Sequence, residues 1–180
     1  MHKSSSDPAA SVPALFRVCF VCTGNVCRSP MAVWVFQRLV NDAGLADAVE
    51  VESGALGAWH VGEEADGRAV RVLRDRGYDG SHVARQVGAA VFETSDVVVA
   101  FDRSQLHTLR GLAPDEQSID TVMLLRSFDP ELADRDDDDP DLDIVDPYYG
   151  QPAGFEQCLD QIESACRGLL TEVREELPAA

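Results

Sequence analysis

The sequence predicts an α/β fold: a parallel sheet with helices on both faces, in a single domain. Three observations carry this. First, Val18–Val21 and Asp96–Phe101 (D-V-V-V-A-F) are apolar without polar alternation, as strands buried on both faces are. Second, stretches with helical spacing alternate with these strand-like runs, the order that produces right-handed crossovers onto a parallel sheet. Third, the first strand breaks off sharply at Cys22 into T-G-N-V-C-R-S-P. In open parallel sheets, binding sites lie beyond the carboxyl ends of the strands. A length of 180 residues with 45% hydrophobic content is enough for one core.

Residues 1–13 are polar and rich in Ala, Ser and Pro, and they lack the apolar centre of a signal peptide. A disordered arm is expected there, with the domain spanning residues 14–178. After the strand and loop, Ser29-Pro30 reads as a helix start, with a capping hydroxyl and a proline whose missing N–H is not needed. Helical spacing continues from Met31 to Val40, and Gly44 marks the stop. Val49–Ser53 alternates as a second strand. A loop over Gly54–Glu64 carries Trp59 and His60. Ala65–Arg76 has helical spacing and ends at Gly77, and a short helix is expected over Val87–Thr94. Arg103–Leu112 is a helix candidate and Thr121–Leu125 a last short strand. Ser127–Gly150 is a long loop containing the acidic run Asp136–Asp139, and Phe155–Leu177 is a closing helix with one apolar side.

The stretch around Cys22 carries the chemistry. Successive backbone N–H groups of a tight loop converge on one concavity, and the following helix adds its positive end, so the loop is an anion nest. Cys22 opens it and Arg28 closes it. A thiol in such a place ionises readily and becomes a nucleophile. A guanidinium matches two phosphate oxygens at once, and Ser29 is placed to donate its hydroxyl to the sulfur. A leaving group also needs a proton donor, and D-P-Y-Y-G at Asp146–Gly150 lies just before the closing helix; by itself Asp-Pro is an ordinary turn opener.

Composition narrows the partners. The formal net charge is −17, which argues against nucleic acid or an anionic membrane as partner. No apolar run reaches the length of a membrane span. Five Cys without a signal peptide point to reduced thiols in a cytoplasm. No His/Cys cluster has the spacing of a zinc site, and His60 and His107 give no signal of their own.

The string C-T-G-N-V-C-R-S-P closely resembles the C-x-G-N-x-C-R-S-P signature of the low-molecular-weight protein tyrosine phosphatases, and D-P-Y-Y-G is similar to their acid loop. The resemblance spans roughly residues 16–177, and W-H-V-G and L-L-R-S-F-D-P look most like actinobacterial members. It implies a four-stranded parallel sheet in strand order 2-1-3-4. It also implies hydrolysis of phosphotyrosine through a phosphocysteine, with Cys22 as nucleophile, Arg28 as phosphate clamp and Asp146 as general acid and then base. Thr23, Gly24, Asn25, Val26, Cys27 and Ser29 would hold the phosphate or another oxyanion. Trp59 would form one wall of a cleft, and Tyr148 and Tyr149 the other. His82, Ser53, Asn25 and Ser29 would be hydrogen-bonded together beneath the loop, holding Asn25 in a strained conformation. Cys27 would either pack or form a reversible disulfide with Cys22 that shields the nucleophile. The implied enzyme uses no cofactor or metal and acts as a monomer on phosphotyrosine-containing proteins.

Two other activities use a similar loop. Thioredoxin-coupled arsenate reductases carry a further cysteine pair near the middle of the chain, whereas here no Cys lies between Cys27 and Cys158. Protein arginine phosphatases tend to have Thr where this chain has Val26. The cluster Asp136–Asp143 departs from the shorter loop of the family and is expected to be a solvated loop without chemistry.

Overall fold

The computed structural model describes residues 14–179; the arm expected over residues 1–13 lies outside them. Four strands form one all-parallel sheet in the order β2-β1-β3-β4: β1 (Phe16–Cys22), β2 (Val49–Ala55), β3 (Val97–Ala100) and β4 (Val122–Leu124). The central strand β1 shows why its sequence lacks alternation. Val18, Phe20 and Cys22 face one core and Cys19 and Val21 the other, all buried. The predicted strand order is the observed one.

Helices α1 (Arg28–Asp42), α2 (Gly67–Asp75) and α6 (Ala153–Glu176) bury their apolar sides in the larger core, around Phe20, Phe36, Leu73, Phe155 and Ile162. Phe20 packs edge-on against Phe36, with centroids 5.8 Å apart. The smaller core, on the opposite face, takes Val91 and Phe92 of α3 (Val91–Thr94) and Leu106 and Leu109 of α4 (Arg103–Leu112). Among the described residues, no helix is long and apolar enough to cross a membrane.

Most boundaries move by a few residues, and four differences have physical causes. The helix expected over Val87–Thr94 is a single turn, because the backbone of Val87 is drawn off to pair with Ala55. Strand β2 runs on to Ala55, which places Gly54 against Val87 where no side chain fits. A five-residue helix, α5 (Glu116–Asp120), is absent from the sequence reading; it is too short for periodicity, although its Asp115 cap was readable. The long loop is ordered by three 3₁₀ turns, at Leu125–Phe128, Pro140–Leu142 and Pro147–Tyr149.

Helix α6 passes so close to the first of these turns that a Cβ on Gly168 would overlap the Phe128 carbonyl. In an exposed helix, Gly→Ala stabilises by about 1 kcal/mol. Here the obstacle is backbone, so the sign reverses. Gly168→Ala is expected to destabilise the protein by about 2 kcal/mol, read as a lower urea midpoint with an unchanged slope. A higher midpoint would contradict this packing.

Candidate active site

Strand β1 ends at Cys22, and the chain turns through Thr23–Cys27 into α1. The turn is possible because Asn25 takes a left-handed conformation, φ 58°, the one positive φ outside glycine among the described residues. Five hydrogen bonds hold its side chain and carbonyl. The amide Nδ2 donates to Ser29 Oγ at 2.7 Å and to Ser53 Oγ at 3.0 Å. Oδ1 accepts from His82 Nε2 and from the Arg85 backbone N–H, both at 3.0 Å, and the Asn25 carbonyl accepts from the same His82 nitrogen at 3.0 Å. Facing two oxygens, His82 Nε2 carries the proton. Burial is the main reason that its basicity falls below the usual histidine value. The expected quartet of His82, Ser53, Asn25 and Ser29 therefore lies together under the loop.

This network sets the direction of the next hydrogen bond. Ser29 Oγ already accepts from Asn25, so its own hydrogen is free for Cys22 Sγ, 2.9 Å away. The Asn25 backbone N–H also points at that sulfur, at 3.3 Å. The expectation that Ser29 caps the helix is therefore corrected. Helix α1 begins at Arg28, its N-cap is Cys27, and no side chain caps it. Burial raises the thiols of Cys19 and Cys158 to about 12, and it raises those of Cys27 and Cys166 as well. All four are buried and held in the neutral thiol form.

Arg28 is 2% exposed. Its Nη1 donates to Asp102 Oδ2 and to the Ile144 carbonyl, both at 2.8 Å, and Nη2 lies 3.4 Å from Asp146 Oδ2. Burial disfavours its charge, but Cys22, Asp146 and Asp102 outweigh that and hold the guanidinium above its ordinary value. Sequence reasoning missed Asp102 and Gln105. Asp102 is the N-cap of α4, and its other oxygen accepts the Gln105 N–H at 2.8 Å. Gln105 is buried; it takes the Phe101 N–H and donates to Thr23 Oγ1 at 3.1 Å, tying the loop to α4. The D-x-x-Q spacing signals a helix start, but nothing local shows that it faces the loop.

Above the loop is a cleft of about 420 Å³. It is lined by Cys22, Thr23, Gly24, Val26, Cys27 and Arg28 of the loop and by Trp59, Asp146, Tyr148 and Tyr149. The Trp59 ring lies over Gly57, where any Cβ would collide with it. His60, which gave no signal in the sequence, also lines the cleft. Its ring covers Gly24 so closely that a Cβ there would stand 2.9 Å from it, and its Nδ1 is held by Glu63 at 2.7 Å. Asp146 opens a 3₁₀ turn, accepting the Tyr148 N–H at 3.1 Å. Arg68, paired with Asp66, donates to the Tyr148 carbonyl at 2.9 Å, while the Asp66 N–H binds the Val26 carbonyl at 2.8 Å. The Tyr148 segment and the loop at Val26 are thus linked through the start of α2.

A cysteine sulfur at the base of a tight buried loop, an arginine in its wall and a carboxylate beside that arginine are thus gathered at one cleft. The comparisons specify the family. The model of the family "Low molecular weight phosphotyrosine protein phosphatase" matches residues 17–179. A Streptomyces coelicolor low molecular weight protein-tyrosine-phosphatase is 52% identical over 162 residues, covering 90% of this chain and 96% of its own. A Mycobacterium tuberculosis low molecular weight protein-tyrosine phosphatase A is 46% identical, covering 89% and 93%. A crystal structure of a protein tyrosine phosphatase from Entamoeba histolytica superposes with a TM-score of 0.81 at 28% identity, covering 89% of this chain and 98% of that one. The chain belongs to the low-molecular-weight phosphotyrosine protein phosphatase family, and it is a phosphatase.

The Asn25 network makes two predictions. Asn25→Ala puts a residue that tolerates the left-handed region less well than Asn at φ 58° and removes four side-chain bonds, so it is expected to cost about 3 kcal/mol. Asn25→Gly keeps the backbone free and should cost less; equal losses in thermal unfolding would contradict the backbone part of this account. Because the folded His82 binds its proton more weakly than the unfolded one, its contribution is present above about pH 6.5 and is lost as pH falls from there through the folded value. His82→Gln should flatten that acid-side decline; an unchanged decline would contradict it.

Proposed function

We propose that the chain is a protein tyrosine phosphatase that hydrolyses phosphotyrosine through a phosphocysteine intermediate. The observation that supports this most is one contact chain: Arg28, rooted in the loop that carries Cys22, reaches Asp146 at 3.4 Å across the mouth of the cleft. Nucleophile, clamp and proton donor therefore converge on one oxyanion-sized space. In this reading the Cys22 sulfur attacks phosphorus in line with the tyrosine oxygen. The P–O bond breaks, and the proton of Asp146 passes to the departing phenolate oxygen. Arg28 and the loop N–H groups bind the equatorial oxygens. A water then attacks phosphorus and gives its proton to the Asp146 carboxylate. The P–S bond breaks, and Ser29 donates to the sulfur that leaves.

Depth favours tyrosine. Cys22 is only 3% exposed, in a cleft that Trp59, Tyr148 and Tyr149 also line, so on this reading an aromatic ring reaches it where a serine side chain does not. Val26 presents an apolar group in the loop, which suits an aromatic ester better than a phosphoguanidinium. On this reading the partners are phosphotyrosine-containing proteins, and the enzyme is a cytoplasmic monomer. The site chemistry needs no metal or cofactor.

Hydrolysis of phosphotyrosine, phosphoserine and phosphoarginine peptides side by side tests the substrate class. Phosphotyrosine should dominate, and a dominant phosphoarginine rate would replace the reading. Asp146→Asn should slow phosphotyrosine peptides by about 10² to 10⁴ and an electron-poor aryl phosphate far less, since a phenolate of pKa about 10 needs the proton. The same leaving-group dependence in both proteins would remove Asp146 as the acid.

The reading also includes redox protection. Mild peroxide should inactivate the wild type reversibly through a Cys22–Cys27 disulfide, and Cys27→Ser should make the loss permanent. Equal recovery by thiol in both proteins would dispose of that bond.

A further inference from the structure

The acidic run before the acid loop is expected from sequence to be solvated and without a role. In the structure the run is largely exposed, but three of its carboxylates, Asp137, Asp139 and Asp143, are paired with arginines. Asp143 is joined to Arg103 by three hydrogen bonds: the Arg103 backbone N–H reaches Oδ1 at 2.8 Å, Nε reaches Oδ2 at 3.0 Å and Nη2 reaches Oδ2 at 2.9 Å. The remaining arm of Arg103 donates to the Asp138 carbonyl at 2.8 Å. Asp137 and Asp139 are likewise paired, with Arg110 and Arg135.

We propose that Arg103 and Asp143 are a positioning pair that orients Asp146, acting from three residues upstream of it. Residues 101–103 form a bracket against which this segment lies. The Phe101 carbonyl accepts the Ile144 N–H at 2.8 Å. Asp102 holds the same Arg28 nitrogen that binds the Ile144 carbonyl. Arg103 holds Asp143. Leu142 is buried in one core and Ile144 in the other, so the segment crosses the carboxyl edge of the sheet, while Val145 points to solvent at 78% exposure. Alternate apolar anchors fix where such a segment lies but leave its twist loose. The three-bonded carboxylate fixes the twist, and with it the side on which Asp146 emerges. Downstream, Arg68 on Tyr148 holds the other end.

The magnitudes separate positioning from stability. The side chains of the pair are 40% and 25% exposed, and pairs in such surroundings contribute little to folding. The Asp143 bonds, weighed against slight desolvation, hold the Arg103 guanidinium above its ordinary value. Displacing an acid by a fraction of an ångström is costly to a rate even where folding hardly changes.

This inference rests on Asp146 being the acid, so the test includes Asp146→Asn. Arg103→Met, Asp143→Asn and Arg103→Lys are compared with wild type in kcat on a phosphotyrosine peptide and on an electron-poor aryl phosphate. Inhibition by inorganic phosphate and the melting temperature are measured for each. Arg103→Met and Asp143→Asn should lose about ten-fold on the peptide and under about two-fold on the aryl phosphate, with phosphate inhibition unchanged. Arg103→Lys should recover part of the loss. Equal losses on both substrates, or no loss on either, would overturn the pair's role. If Asp146→Asn discriminates between the substrates and the pair variants do not, this inference alone fails. If Asp146→Asn does not discriminate, the acid assignment fails and takes the inference with it.

Discussion

Asn25 held in the left-handed conformation is the constraint on which the rest of the site depends. A residue with a Cβ in that region is strained, less so for Asn than for others. Five hydrogen bonds from four neighbours, each worth about 1 kcal/mol, outweigh that strain. Those neighbours come from three separate parts of the chain: the start of α1, the end of β2 and the segment at residues 82–85. The loop shape is therefore a property of the whole fold, assembled before any ligand arrives. A preformed nest spends no binding energy on reorganisation, which is how oriented dipoles become useful in catalysis.

The charge distribution sharpens this point. The chain carries a formal net charge of −17, so its long-range field repels a phosphate. On the proposed reading, attraction comes from within a few ångströms: the loop N–H groups, the first turn of α1 and Arg28. A lone guanidinium buried at 2% exposure would be costly. Asp102 and the Ile144 carbonyl take one of its nitrogens, and the other stays near Asp146 at the cleft. The arginine is thus charged, fixed in direction, and still offers an arm to a ligand. The same contacts bind the acid loop to the phosphate loop, so the two halves of the proposed chemistry share one support.

How much of this was legible in the sequence depended on how local the signal was. The doubly buried strands were readable because the residues on both faces of β1 and β3 are apolar. The loop was readable because C-T-G-N-V-C-R-S-P compresses its parts into nine consecutive residues. Ser29 was misread as a cap, since a hydroxyl before a proline is the ordinary cap pattern, while its real partner, Cys22, is set by the turn at Asn25. Asp102, Gln105 and His60 escaped because their partners lie 74, 82 and 36 positions away in Arg28, Thr23 and Gly24, or are approached only through space. The pairing of Asp137 and Asp143 was hidden because Arg110 and Arg103 sit on α4, distant in sequence and adjacent only once the sheet is wound.

On the proposed mechanism, Cys22 itself takes the phosphoryl group. Rapid acid quenching during turnover of a phosphotyrosine peptide, followed by mass spectrometry of the cysteine-containing fragments, tests it directly. The expected result is a phosphoryl group on Cys22 and on no other cysteine, appearing within the first turnover and vanishing when substrate is exhausted. Turnover with Cys22 unmodified throughout, or with the phosphoryl group on another residue, would contradict it.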